Sequence, residues 1–157
     1  MTNIEKKINK IIIRDMVKED LAQIVKMEKD IFSDAWPKSA FKQQLDESDW
    51  YAEVALCDDK IIGYSCFHVV DIETHLTNIA VLPEFRRKSV AKRLLESILI
   101  RATESGCGYI ILEVRVSNAE ARSFYNKNGF TLLYERPGYY SNPKENAMVM
   151  VRYLNKD

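Results

Sequence analysis

Between Thr77 and Leu95 the chain reads TNIAVLPEFRRKSVAKRLL: an apolar strand-like segment, a proline break, a run of cations and the start of an amphipathic helix. The helical half is explicit. Ala91, Leu94, Leu95, Ile98, Leu99 and Ala102 recur at i, i+3, i+4, i+7, i+8 and i+11, a stripe wide enough to cover a sheet face. Arg86, Arg87 and Lys88 stand just before it, and Lys92 and Arg93 fall in its first turn. A helix N-terminus already carries roughly +0.5 charge and unpaired N–H groups, so each cation there is disfavoured by roughly 0.3 to 1 kcal/mol. A bound polyanion reverses the sign.

Two readings fit these cations. They are solvated surface charges, or they flank a strand-to-helix turn whose backbone N–H groups and helix dipole hold a phosphate. A nucleotide-binding loop of the G-x-x-x-x-G-K-[ST] type is absent from the chain.

Composition narrows the classes further. With 157 residues, 46% of them hydrophobic, the chain suits one domain over residues 11–157, preceded by a polar, mobile extension over 1–10. Its 23 Lys and Arg balance 23 Asp and Glu, so no global field recruits nucleic acid or an anionic membrane. No segment approaches the roughly 18 apolar residues of a membrane span. Cys57, Cys66 and Cys107 lack C-x-x-C spacing and sit in apolar contexts, as reduced, buried thiols of a cytoplasmic protein do. Two histidines without clustered cysteines or acids give no metal-site pattern.

The rest of the chain alternates strand and helix patterns. Ile11 to Arg14 is a short β-branched strand, and Lys18 to Phe32 carries Leu21, Ile24, Val25, Glu28 and Phe32 at helical spacing. Pro37 suits a first helical position, opening a helix through Phe41 to about Leu45. Tyr51 to Leu56 and Ile61 to Val70 read as strands joined by an Asp58-Asp59-Lys60 hairpin, followed by a strand from Leu76 to Val81. Gly106 suits the position just past a helix, and Tyr109 to Val114 forms an apolar strand of the kind buried on both faces. Ser117 to Glu120 is an S-x-x-E capping box that places a helix start at Ser117; Gly129 ends that helix and Phe130 packs back on it. Thr131 to Tyr134 and Met148 to Leu154 supply closing strands.

Two side chains in the second half invite chemical roles. Glu113 ends an apolar strand, where a carboxylate is costly to desolvate. It either pairs with Arg115 on the same strand face or serves as a base whose pKa burial raises toward neutrality. Asn118, Ala121 and Tyr125 share one helix face, and Tyr125 is either core or a phenol aimed at the same strand ends.

Arg86-Arg87-Lys88-Ser89-Val90-Ala91 resembles the R/Q-x-x-G-x-G/A signature of the GNAT acetyltransferase superfamily, with Ser89 at the usual glycine. A serine fits there if it keeps helical dihedrals, its hydroxyl then capping the helix or touching phosphate. Asn78-Ile79-Ala80-Val81, Leu112-Glu113-Val114-Arg115, Ser117-Asn118-Ala119 and Phe124-Tyr125 through Gly129-Phe130 resemble, in order and spacing, the bacterial RimI branch. That resemblance implies an α/β (α+β) fold: a mixed, mostly antiparallel sheet of about six to seven strands, flanked by about four helices, with a splayed parallel pair at its centre. The pair implied here is Leu76 to Val81 and Tyr109 to Val114.

The resemblance also implies a reaction, acetyl transfer from acetyl-CoA to the N-terminal alanine of the eighteenth small-subunit ribosomal protein. Glu113 then accepts the ammonium proton and Tyr125 protonates the leaving thiolate. The backbone of Ile79, Ala80 and Val81 holds the acetyl thioester and pantetheine. Arg86, Arg87, Lys88, Ser89, Val90, Ala91 and Lys92 surround the pyrophosphate, and Asn118 makes another cofactor contact. Tyr139 and Tyr140 resemble a paired aromatic near the acceptor peptide. Glu73 and His75, near the other splayed strand, are candidates to share the proton or the substrate. Metal plays no part, the partners are the acceptor protein rather than nucleic acid or membrane, and the chain is a monomer or weak homodimer.

Reference pKa values of about 7.8 and 10.4 leave roughly a tenth of an α-amine neutral at pH 7 but well under a thousandth of lysine, a gap of about 3.5 kcal/mol that favours the α-amine. A GNAT enzyme for lysine or a small amine, and a non-catalytic acyl-CoA-binding module, remain open. Cys107 as an acyl carrier lacks a base that the sequence sets beside it.

Overall fold

The computed structural model describes Thr2, Asn3 and residues 10–154. The expected mobile extension over 1–10 therefore lies largely outside the described residues. Strands β1 (Ile12–Asp15), β2 (Trp50–Cys57), β3 (Lys60–Val70), β4 (Glu73–Val81), β5 (Tyr109–Arg115), β6 (Thr131–Tyr140) and β7 (Glu145–Tyr153) form one sheet. Its order is β1-β2-β3-β4-β5-β7-β6, antiparallel throughout except for the central β4–β5 pair. The α-helices that pack on the sheet among the described residues are α1 (Leu21–Ile31), α2 (Lys38–Asp46), α3 (Val90–Glu104) and α4 (Ala119–Lys127). This is the mixed architecture anticipated from the sequence.

Both faces of the sheet are covered. Val54 and Cys66 pack with Leu21, Ile24, Met27 and Phe41 of α1 and α2, while their neighbours Ala55 and Phe67 enter clusters built on α3. Strand alternation sends successive side chains to opposite faces, so each face needs its own helical cover. The α3 stripe falls as its periodicity requires: Leu94, Leu95, Ile98 and Ala102 are buried.

Local chemistry sets the turns. Asp58 and Asp59 both adopt positive φ, +49° and +63°, which matches the two-residue turn that a twisted hairpin favours. Gly106 at φ +79° and Gly129 at φ +86° follow the ends of α3 and α4.

Four expectations need correction. Pro37 is the residue before α2, in extended conformation, because its ring tolerates that dihedral equally well. The helix expected over Lys18 to Phe32 begins with a 3₁₀ turn, Lys18–Asp20, before α1. The S-x-x-E box does not form: Asn118 is the N-cap, accepting from the Ala121 N–H at 3.1 Å, and the Ser117 N–H instead donates to Glu145 at 2.6 Å. β5 is fully buried on one face only, through Ile110, Leu112 and Val114, leaving Glu113 and Arg115 half-buried on the other.

Candidate active site

β4 and β5 pair in parallel only from Glu73 opposite Tyr109 to Leu76 opposite Leu112. At that point β4 bulges: Phe67 of β3 faces Leu76, Cys66 faces Asn78, and Thr77 is the extra residue, its hydroxyl donating to the Cys66 carbonyl at 3.0 Å. A bulge bends its strand and increases local twist. From Thr77 onward the β5-facing edge of β4 has no strand partner. A cleft of about 1250 Å³ opens beside it, lined by Ile79, Ala80 and Val81 on one wall and by Asn118, Ala121 and Tyr125 of α4 on another.

The basic turn lies along this cleft. Arg87 and Ser89 adopt left-handed backbone, φ +59° and +65°, directly before α3. Alternating backbone of this kind turns successive N–H groups into an anion-binding concavity, here continued by the N-terminus of a 15-residue helix. Arg86, Arg87, Ser89, Val90, Ala91 and Lys92 line the cleft, whereas Lys88 and Arg93 do not. The Arg86 Nε donates to the Val81 carbonyl at 3.2 Å, tying the turn to the end of β4. The helical dihedrals that would make Ser89 a neutral replacement for glycine are absent, and its hydroxyl makes no cap bond.

Glu113 sits where β5 has left β4, its side chain 14% exposed. The Arg115 pairing considered for it does not form. Arg115 bonds Asp34 and Glu145, each at 3.2 Å, and the carbonyls of Ser141 and Pro143, while its guanidinium lies 4.4 Å from the Tyr140 ring centre. Glu113 instead meets His75, with Nε2 and Oε2 2.6 Å apart. The Glu113 hydrogen bond raises the His75 imidazole above its ordinary pKa, against the opposing effect of burial. Glu73 is opposite Tyr109, whose hydroxyl donates to it at 3.0 Å, in the part of β4 that stays paired.

Tyr125 is buried at 6% exposure, set edge-on to Phe124 and Phe130, and its hydroxyl has no hydrogen-bond partner among the described residues. Burial raises its pKa, so the phenol holds its proton at neutral pH. Tyr139 and Tyr140 meet edge to face, 4.9 Å apart. Burial, with a smaller contribution from the charge of Glu113, raises the Tyr140 phenol above its ordinary pKa. The three cysteines are buried thiols outside any disulfide, and Cys107 Sγ accepts from the Thr74 hydroxyl at 3.2 Å.

Glu28, in the sequence only a member of the Lys18 to Phe32 helical stripe, occupies an apolar position of α1 at 2% exposure. Its carboxylate accepts from the Tyr64 hydroxyl, from Asn78 Nδ2 at 3.0 and 3.2 Å, and from the Trp36 N–H at 3.3 Å. The available signal was an acid inside an otherwise hydrophobic helical stripe. Ile31, Phe32, Ser33 and Asp34, which follow it, line the cleft as well.

A central parallel pair that parts at the Thr77 bulge, with a basic strand-to-helix turn and Tyr125 lining the cleft beside it and Glu113 on β5 just past the last paired residue, is the arrangement the comparisons identify. The chain belongs to the acetyltransferase (GNAT) family, whose model matches residues 21–130. It is 32% identical over 146 residues to the putative ribosomal protein bS18-alanine N-acetyltransferase of Bacillus subtilis, covering 92% of this chain and 96% of that one. The crystal structure of the ribosomal-protein-S18-alanine N-acetyltransferase from Escherichia coli superposes with a TM-score of 0.85 at 26% identity, over 94% of this chain and 96% of that one. Arabidopsis thaliana NAA60, crystallised in complex with acetyl-CoA, shares the fold with a TM-score of 0.83 at 17% identity, over 93% and 99% of the two chains. Family membership makes this chain an N-acetyltransferase.

Proposed function

We propose that the chain acetylates the N-terminal α-amine of a protein, with the alanine terminus of the eighteenth small-subunit ribosomal protein as acceptor and acetyl-CoA as donor. The observation that carries this reading is the parting of β4 from β5 at Leu76, beside a cleft with a phosphate-suited turn along it. Relatives named for bS18-alanine acetylation over nearly their full length support the acceptor.

The residues present fit the donor. The β5-facing edge of the Ile79–Val81 segment, which no strand covers, suits an extended amide-bearing arm. The turn formed by Arg86, Arg87, Lys88 and Ser89, with Val90, Ala91 and Lys92 of α3, suits a diphosphate, and Asn118 lines the cleft opposite. Bound acetyl-CoA supplies an acetyl group activated as a thioester.

The chain's own groups do the rest. An N–H of the Ile79–Val81 strand stabilises negative charge developing on the acetyl oxygen. Glu113 takes the proton from the acceptor's ammonium so that the free amine can attack the thioester carbonyl, and Tyr125, a buried phenol whose pKa burial raises, gives a proton to the departing sulfur. Tyr139 and Tyr140, beside Glu113, and Glu73, farther along β4, are assigned to the acceptor side.

Acetyl transfer to a peptide with a free N-terminal alanine, compared with its N-blocked form and with a lysine peptide, tests the reading. Transfer to the free terminus alone is expected. Transfer to lysine would redirect the substrate class. Coenzyme A binding without any turnover would replace the enzyme with a binding module.

A further inference from the structure

Two carboxylates and two backbone carbonyls converge on one guanidinium at the end of β5, and from this convergence we infer that Arg115 is a positioning residue: it fastens the segment after α1 to the turn between β6 and β7, and so fixes the acceptor's approach to Glu113. This rests on the acetyl-transfer reading above and adds to it a residue with no part in proton transfer.

The two segments are distant in the chain and meet beside the cleft. Ser33 and Asp34, just after α1, line it, and so does Arg115. The turn after β6 follows directly on Tyr139 and Tyr140, the rings assigned to the acceptor side. Arg115 Nη2 donates to Asp34 Oδ2 at 3.2 Å and to the Ser141 carbonyl at 3.1 Å, while Nη1 donates to the Pro143 carbonyl at 2.9 Å and to Glu145 Oε1 at 3.2 Å. Asn142 adds a second tie, its Nδ2 donating to the Ser33 carbonyl at 3.3 Å.

Only a guanidinium suits this place. Its planar fork serves acceptors from two segments at once and its face packs on the Tyr140 ring, whose centre lies 4.4 Å away; a lysine ammonium is a single point charge with no such face. Arg115 also shares the strand face of Glu113, two residues earlier, so the cation that gathers the two segments is registered to the proton acceptor itself.

Folding gains little from such contacts. The Asp34 side chain is 37% exposed, and ion pairs open to water to that degree contribute little to stability. What the network fixes is the separation of two segments beside the site. Glu145 carries it one step further, accepting the Ser117 N–H at 2.6 Å just ahead of α4, the helix that holds Tyr125. That bond does not need Arg115, so loss of the arginine should loosen the acceptor's approach more than it displaces the phenol.

Steady-state kinetics on the intact protein with an alanine-terminated peptide tests the assignment. At saturating acetyl-CoA, Arg115→Ala is expected to raise the peptide KM by about tenfold, with kcat held within about threefold and calorimetric coenzyme A binding unaltered. Arg115→Lys should recover only part of the loss. Asp34→Ala cuts one arm and should raise the peptide KM by a smaller factor, and in the double variant it should add nothing to Arg115→Ala, because both changes act through one link. An unchanged peptide KM in Arg115→Ala would overturn the assignment, as would full recovery in Arg115→Lys or multiplying factors in the double variant. Parallel losses of melting temperature, coenzyme A binding and turnover would likewise overturn it, leaving Arg115 a residue of the fold alone. Should Arg115→Ala fail to fold, Asp34→Ala decides, and an unchanged peptide KM there overturns the link. These outcomes leave acetyl transfer standing, whereas no transfer to any amine by the unsubstituted protein would overturn both.

Discussion

Asn78, the first residue after the β4 bulge, donates its side-chain amide to both oxygens of the buried Glu28 carboxylate, at 3.0 and 3.2 Å. One acid on α1 thereby joins the strand that would carry the acetyl group to Tyr64 in β3 and to the Trp36 backbone beyond the cleft-lining residues. Removing it leaves several donors buried without a partner. Glu28→Ala is expected to destabilise the fold by about 1 to 3 kcal/mol for each donor left unpaired, with Glu28→Gln milder. Urea denaturation measures it, and equal stability of the alanine variant would contradict the network.

Glu113→Gln and Tyr125→Phe are each expected to slow acetyl transfer by on the order of 10² to 10⁴ while coenzyme A binding survives. Tyr125→Phe is the cleaner of the two, because the hydroxyl it removes has no partner among the described residues. Unchanged rates in both would remove the assigned roles.

Ser89 holds φ +65° without a compensating side-chain bond. Left-handed backbone costs a residue with a Cβ about 1 to 2 kcal/mol, and glycine gives back roughly 0.5 to 1 of that through its floppier unfolded chain. Ser89→Gly should therefore melt about 1 to 4 °C higher in scanning calorimetry. A lower melting temperature would mean that the serine side chain does something beyond occupying the turn.

A Cβ on Gly63 would stand 2.9 Å from the Ala80 carbonyl oxygen and 3.4 Å from Leu94. Gly63 lies opposite Val81, where β4 forms the cleft wall, so the crowded neighbour is backbone rather than a flexible side chain. Gly63→Ala is expected to destabilise by about 1 to 3 kcal/mol and to weaken coenzyme A binding in the same preparation. Full stability with unaltered binding would show that β4 yields without consequence.

Arg14 grips Asp20 with two hydrogen bonds, at 2.7 and 3.0 Å, and the Val17 N–H adds a third at 2.8 Å. The Arg14 bond, foremost, holds the Asp20 carboxyl below its ordinary pKa. A lowered folded value means the contribution to stability is complete above the unfolded pKa, about 3.9, and disappears as acid takes the pH down through the folded one. Asp20→Asn should flatten the acid limb of a stability-against-pH curve in that window; an unaltered limb would assign acid sensitivity to other groups.

Periodicity and turn chemistry, which are local, were enough for the α3 stripe, the Asp58-Asp59 hairpin and the glycines after α3 and α4. Those features depend on residues within a few positions of one another, and the same locality made the strand, basic turn and helix of the proposed donor site readable as a unit. Competition between neighbouring local options was not readable: Asn118 and Ser117 are both good caps, and Glu145 on β7 takes the Ser117 N–H.

What only the tertiary structure decided are the partnerships across the sheet. Glu113 had Arg115 as its partner within reach along the chain, yet the fold gives Arg115 to Asp34 and Glu145 and brings His75, 38 residues away, to Glu113. The Thr77 bulge and the burial of Glu28 belong to the same class. Sequence spacing specifies which face of an element a side chain occupies, whereas the identity of the group opposite depends on register, and register is set by the packing of the whole sheet.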